Sequence, residues 1–410
     1  MKKLYIIILF FAISTINLFS QNTSNPFTVD LARAFSKDIF ELNGVPFLQP
    51  VVKVVNTTSN TGFYYDAYIP KKVSKPYFKF SIQMMFGITP ESEKSYVPQM
   101  PAKEFNTADL TNYYNPLTGK LDTAGLIHYF FLNLMYDGIY GNHKGIIEVP
   151  KSAPTALGNK ATTFELRKGA LDTLVRAHPA YPIIKQLGLE DTVMHTIETF
   201  PNIFDLPPGG NINSIVAGVP QLIIGSYYGT ELLLRFVPTI NLGSNIGDFS
   251  FWGVGLKHSI TQYFSDSPID GAFQVAYQST NLQNTVGVTN AKLNADANFL
   301  NVNLQFSKTW YKLFTIYAGI SYEKVNIESQ YKYYLPVVVQ WQLGLLEQGN
   351  PNPTPGYPGD VNPQIALIKI TDSQTRATFG VSKEFYNFII SADINISKMV
   401  MIGATLGYKF

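Results

Sequence analysis

Apolar and polar positions alternate with a period of two along several stretches of this 410-residue chain. The last stretch is the clearest: Val400, Ile402, Ala404, Leu406, Tyr408 and Phe410 recur at every second position. Side chains on a strand point alternately to its two faces, so this segment has one apolar side over about ten residues. That length suits a tilted strand crossing a bilayer, and the terminal aromatics suit its interface. Residues 77–88 repeat the pattern, with Phe78, Phe80, Ile82, Met84 and Phe86 on one face and Lys79, Ser81 and Gln83 on the other. The same reading predicts strands over 62–69, 219–226, 230–238, 249–259, 272–280, 297–308, 312–325, 375–383 and 388–395. These make eleven, and a single-chain bacterial barrel takes an even number, so the expectation is an all-β, antiparallel, up-and-down transmembrane barrel of 12–14 strands. The extra strands are sought at 51–56, 285–293 and 365–370.

Three stretches break the alternation. Residues 25–50 place Val29, Leu31, Ala32, Phe35, Ile39 and Phe40 partly on one helical face before Asn43-Gly44, and predict a helical plug that seals the barrel from the periplasmic side. Residues 90–216 are rich in proline and charge, and carry helical candidates over 122–140 and 181–199, the second interrupted by Gly188. Residues 336–362 read as a long Pro/Gly/Asn loop. With the carboxy-terminus in the periplasm, links such as Tyr227-Tyr228-Gly229 and Thr309-Trp310-Tyr311 fall inside, and the insert and long loop fall outside the cell. Short inner turns and long outer loops are the usual asymmetry.

At the other end, Met1-Lys2-Lys3 precedes an apolar run over 4–19, which reads as a secretory signal peptide removed near Ser20. The expected organisation is therefore a leader over 1–20, a plug over 21–50, and a barrel over 51–410 interrupted by the insert 90–216. No later stretch is apolar enough for a membrane helix, whereas a barrel averages lipid-facing and lumen-facing residues. The formal charge of +2 falls to about zero once Lys2 and Lys3 leave, and nothing basic points to nucleic acid. The chain has no Cys, which removes disulfides, thiol catalysis and Cys-rich metal sites.

Alternation also assigns faces inside the barrel. Glu231, Arg235, Lys257, Glu323, Arg376 and Asp393 point inward, together with Asn301, Asn303, Gln305, Tyr317, Ser321, Ser382 and Ser391. The six charges balance in sign. They suit either a paired network that satisfies buried charge in the wall or a polar ring that orients a ligand head group. Charges this sparse do not make a strongly ion-selective pore.

The run Pro220-Gln221, Gly229-Thr230-Glu231, Arg235-Phe236 and Pro238, followed by Gly253-Val254-Gly255-Leu256-Lys257-His258, resembles a signature of an uncharacterised family of bacterial outer-membrane barrels classed as a domain of unknown function. The region around Pro50, Gly62 and Ala67 is similar too, and the aromatic Phe410 terminus resembles the closing strand that the barrel-assembly machinery reads. That family looks distantly like FadL-type channels, which pass hydrophobic molecules through a barrel filled by an amino-terminal hatch. The resemblance implies a bacterial outer-membrane location and a hydrophobic small-molecule ligand, with outer-membrane lipids as surroundings. The step to FadL is architectural analogy.

The apolar segment 122–140 suits either the core of a small cap domain or a groove for hydrophobic ligands, with Phe130, Phe131 and Met135 as its candidates. No enzyme is expected: His258 and Ser259 are adjacent on a strand and point to opposite faces, so they form no dyad. His128, His143, His178 and His195 lack the spacing of a zinc site, and neither metal nor cofactor is expected. Two functions remain: passive uptake of hydrophobic or amphipathic small molecules, or a non-transporting barrel whose insert binds a partner protein or serves secretion. A lumen blocked by side chains favours the second.

Overall fold

The structure, a computed structural model, describes residues 26–159, 161–186, 190–241, 247–286 and 291–410. The expected leader lies outside the described residues. So does Gly188, between the two short helices Tyr181–Gln186 and Glu190–Thr199 that stand where one interrupted helix was expected.

The described residues close into an antiparallel barrel of ten strands. They are β1 (Tyr77–Ile88), β2 (Ser214–Tyr227), β3 (Thr230–Asn241), β4 (Asp248–Ser259), β5 (Asp270–Val286), β6 (Ala291–Trp310), β7 (Phe314–Tyr333), β8 (Gln364–Phe385), β9 (Phe388–Ile396) and β10 (Val400–Lys409). Each pairs with its neighbour in sequence, and β1 closes the ring on β10 with Ile82 opposite Leu406.

The count of 12–14 is corrected to ten. The even number is reached by losing a strand, not by finding one. Residues 62–69, rich in aromatics, run through the lumen instead of the wall, with Phe63, Tyr64, Tyr65, Ala67 and Ile69 all buried. Segment 51–56 belongs to a helix, and 365–370 is the start of the long β8. The barrel wall accordingly begins at Tyr77, not at residue 51.

The wall faces follow the alternation. On β1, Phe78, Phe80, Ile82, Met84 and Phe86 are each 43–44% exposed on the outside, whereas Lys79, Ser81, Gln83 and Met85 are buried inside. Comparable apolar rows on the other strands make a continuous outward belt, including Trp252, Val254 and Leu256 on β4 and Ile390, Ile394 and Ile396 on β9. A belt of this kind is stable facing hydrocarbon and not water. At one end the strands join by short connections, each bearing two adjacent exposed aromatics: Tyr227-Tyr228, Tyr263-Phe264, Trp310-Tyr311 and Phe385-Tyr386. Phe410 lies at this turn end, its backbone N–H donating to the Phe78 carbonyl.

The opposite end carries a cap. It contains α2 (Thr123–Ile139), α3 (Lys168–Ala177), the two short helices and residues of the 334–363 loop. Its centre comes from elsewhere in the chain. Helix α1 (Pro26–Ser59) starts inside the cap, descends into the barrel and ends in mid-lumen. Its 34 residues reach about 50 Å. This corrects the expected plug: the helix does not stop at Asn43-Gly44, and it enters from the cap end. Asn43 is held in the helix because its side-chain amide donates to Ile39 and Gln99 carbonyls, each at 2.7 Å. Gly44 is there for closeness, since a Cβ would stand 2.4 Å from Ile368 Cδ1 on β8. Pro46 and Pro50 also lie inside the helix, where each lacks an N–H to donate. The sequence lacked a single apolar stripe here because the helix is surrounded, first by the cap and then by the wall.

Candidate functional site

The lumen was the sequence-predicted site, and the structure fills it with the chain's own amino-terminal segment. The last turn of α1 reads Asn56-Thr57-Thr58-Ser59, a polar end for a polar surrounding. The final carbonyls of a helix have no intrahelical partner and carry partial negative charge. Two buried arginines meet them. Arg376 on β8 donates to the Thr57 carbonyl at 2.7 Å and to the Thr61 hydroxyl. Arg235 on β3 donates to the carbonyls of Ser59 and Thr61 at 2.8 and 2.9 Å, while Gln278 reaches Ser59 at 2.9 Å. Beyond the helix, Gly62 adopts φ +70°, where a side chain would strain the backbone and strike Gln83.

All six sequence-predicted charged residues point into this packed lumen and are buried. They do not form one ring. Glu323 pairs with Arg376 at 2.9 Å and also accepts from Gln374 and Ser321 at 2.7 and 2.8 Å. Glu231 takes the Tyr77 hydroxyl at 2.6 Å and lies 3.3 Å from Lys257 and 3.5 Å from Lys79. Lys257 in turn donates to the Asp66 carbonyl at 2.5 Å. Asp393 accepts from Tyr317 at 2.8 Å. Arg235 has neutral acceptors, Gln221 and Gln278 among them, and lies 4.0 Å over the Phe63 ring. The arginines and Lys257 thus hold the plug to the wall.

Lys79, on the polar face of β1, is also buried in the lumen, as are Tyr77 and Asp372, which the alternation does not single out as site residues. Asp372 accepts from Lys398 at 2.6 Å and from Asn56 of α1 at 3.1 Å. Inward alternation on β1 and β8 was the available signal. What could not be read was that Asp372 meets the end of a helix. Between the plug and the wall, the cavity beside Asn60, Arg376 and Asp393 holds about 10 Å³, room for roughly one water.

Two of the three groove candidates, Phe131 and Met135, are corrected. Phe131 and Met135 are 2% and 0% exposed and belong to the cap core. Phe130 is partly buried, its ring 4.4 Å from His178. The apolar character of α2 comes from packing around α1: Phe35 is fully buried and touches the rings of Phe131, Phe164, Phe200 and Phe204 at 5.0–6.3 Å. His258 bonds to Thr230 and Tyr263 at 2.8 and 2.9 Å, not to Ser259. His128 and His143 each contact a single aspartate, and among the described residues no three His, Asp or Glu side chains converge.

Comparison with known families settles the kinship: one family model matches residues 1–410 throughout. The chain belongs to the family of unknown function DUF6588. Among curated proteins, none matches it by sequence. Among solved structures, this DUF6588 chain is similar to Ail, the attachment invasion locus protein of Yersinia pestis, at 11% identity and a TM-score of 0.22, covering 44% of this chain and 96% of Ail. It is also similar to Acinetobacter baumannii OccAB3, at 6% identity and a TM-score of 0.12, covering 82% of this chain and 100% of that one. Pseudomonas aeruginosa OpdK, solved with vanillate, gives 8% and 0.12, with coverages of 82% and 99%. Likeness this low carries no functional argument, and the barrel rests on its own strand ladder.

Proposed function

We propose that this DUF6588 protein is a bacterial outer-membrane barrel that is closed to diffusion and serves as a rigid base for a surface-exposed cap. The observation that carries this reading is α1, which is at once the centre of the cap core and the filling of the lumen. The outward apolar belt, the aromatic turns and the aromatic carboxy-terminus support the membrane location, with lipids as surroundings and the assembly machinery as a folding partner. They also support placing the turn end in the periplasm and the cap outside. The cap would then bind a partner at the surface; no catalysis is invoked.

Passive uptake of hydrophobic or amphipathic small molecules ranks second. It requires α1 to shift, because the end of α1 and the residues after it occupy the mid-lumen, held there by Arg235 and Arg376. Planar bilayers test the choice. The full-length protein is expected to give no steady conductance, and liposomes containing it to take up labelled fatty acid no faster than empty ones. Antibody raised against the cap is expected to label intact cells. Uptake clearly above the empty-liposome rate would reverse the ranking.

A further inference from the structure

Below the plug, at the turn end, the wall and the exit segment enclose a cup of about 240 Å³. It is the roomier of the cavities described, and it borders the lumen network through Lys79, which lies 3.5 Å from Glu231. Four lysines line it, Lys79, Lys312, Lys383 and Lys409, against two carboxylates, Asp66 and Glu384. Asp66 is already engaged, accepting from Ser307 at 2.7 Å and from the backbone of Tyr68 at 2.9 Å. Glu384 stands 3.9 Å from Lys409, a loose pair at the rim. Among the described residues, Lys312 and Lys383 have no acidic partner. Positive charge is therefore in excess, and part of it sits in a recess where water screens less than at an open surface.

A second observation points the same way. Tyr65 and Tyr77 line the cup. The Lys79 ammonium lies 5.6 Å over the Tyr65 ring and 5.1 Å over the Tyr77 ring, so cation and rings share one wall. Leu313 and Phe314 add apolar surface to the lining.

We propose that this cup binds a small anion, a carboxylate or phosphate joined to a ring or short apolar body. The anion meets the lysines, and the body lies against the Tyr65 and Tyr77 side chains. Two sources share this chemistry: a soluble organic acid or phosphate ester, and the head group of a lipid reaching over the rim where Lys312 and Lys383 stand.

Calorimetric titration of the full-length protein in a zwitterionic detergent tests this with three probes: inorganic phosphate, phenyl phosphate and dioctanoyl phosphatidate. Phenyl phosphate is expected to bind saturably and at least fivefold more tightly than inorganic phosphate. The Lys312→Met/Lys409→Met double variant, whose sites are a turn and a strand end, is expected to weaken it at least tenfold while keeping heat-modifiable gel migration. Phosphatidate tighter than phenyl phosphate identifies a lipid source, and the reverse order identifies a soluble one. Absence of saturable binding by all three probes overturns the proposal, as does affinity unchanged in the folded double variant. Equal affinity for inorganic and phenyl phosphate overturns the role of the aromatic wall.

Discussion

The two halves of α1 are held by opposite chemistry. In the cap, Val29, Leu31, Ala32, Phe35 and Ile39 sit among apolar side chains from the insert and the 334–363 loop. In the lumen, Asn56, Thr57, Ser59 and Thr61 meet Asp372, Arg376, Arg235 and Gln278. The upper half is stabilised by area removed from water, a non-directional effect that tolerates small shifts. The lower half depends on directional bonds to ionised groups, which are strong only when every partner is in place. Between the halves, Phe40, Leu48, Val52 and Val55 pack on β7 and β8. A single helix thereby ties the two regions together, so a plug held by little apolar area, easily displaced, is not what the structure contains.

The strongest way to break this comparison is to remove the shared element. Deleting residues 26–59 is expected to open the lumen and to unfold the cap together, while the strand ladder still assembles. Planar-bilayer conductance and limited proteolysis measure the two consequences separately. Conductance without cap digestion, or digestion without conductance, would show that the halves are independent.

Point changes then address one half each. Phe35→Ala removes the ring at the centre of four aromatic contacts and is expected to cost the cap about 3–5 kcal/mol. The cap should become protease-sensitive while conductance stays closed. Arg376→Met leaves the Glu323 carboxylate buried beside an uncapped helix end, also at about 3–5 kcal/mol. Here the expected order reverses, with intermittent conductance and an intact cap. Adding Glu323→Gln should recover part of the loss, since the uncompensated charge goes. If Arg376→Met loosens the cap as much as Phe35→Ala does, the division of chemistry along α1 is wrong.

These particulars set how much was legible in the chain. Ten of the eleven read strands form the wall, and each inward charge faces the lumen, because a period of two is a local signal. Segment 62–69 misled because a plug packed on all sides needs aromatics just as a girdle does. Phe131 and Met135 were open to two readings because the chain does not state what covers an apolar helix, and here the cover is Phe35, about 100 residues away in sequence. The plug partners of Arg235 and Arg376 were illegible too: apart from the Thr61 hydroxyl they are backbone carbonyls, and backbone leaves no mark in composition.

The smallest expected effect is a pH dependence confined to the cap. His178 follows α3 and lies between Phe105 and Phe130, with ring centroids at 5.0 and 4.4 Å. Its Nδ1 accepts from the Ala180 backbone N–H at 3.1 Å, so the neutral ring carries its proton on Nε2, in apolar surroundings. Burial disfavours the charged form and lowers its pKa from 6.5 to about 4. Between those values the unfolded cap binds a proton that the folded cap does not. Stability from this group is therefore complete above pH 6.5 and is lost as pH falls toward 4. The slope approaches about 1.4 kcal/mol per pH unit for one proton. Cap unfolding can be followed through Trp341, the Trp that lies in the cap loop and donates to the Asn350 carbonyl at 2.9 Å. Denaturant titrations across this window should give the wild type a steeper loss on acidification than His178→Phe, by close to that one-proton slope. Parallel pH profiles for the two proteins would mean that His178 is protonated in the folded cap and that its surroundings are wetter than the packing implies.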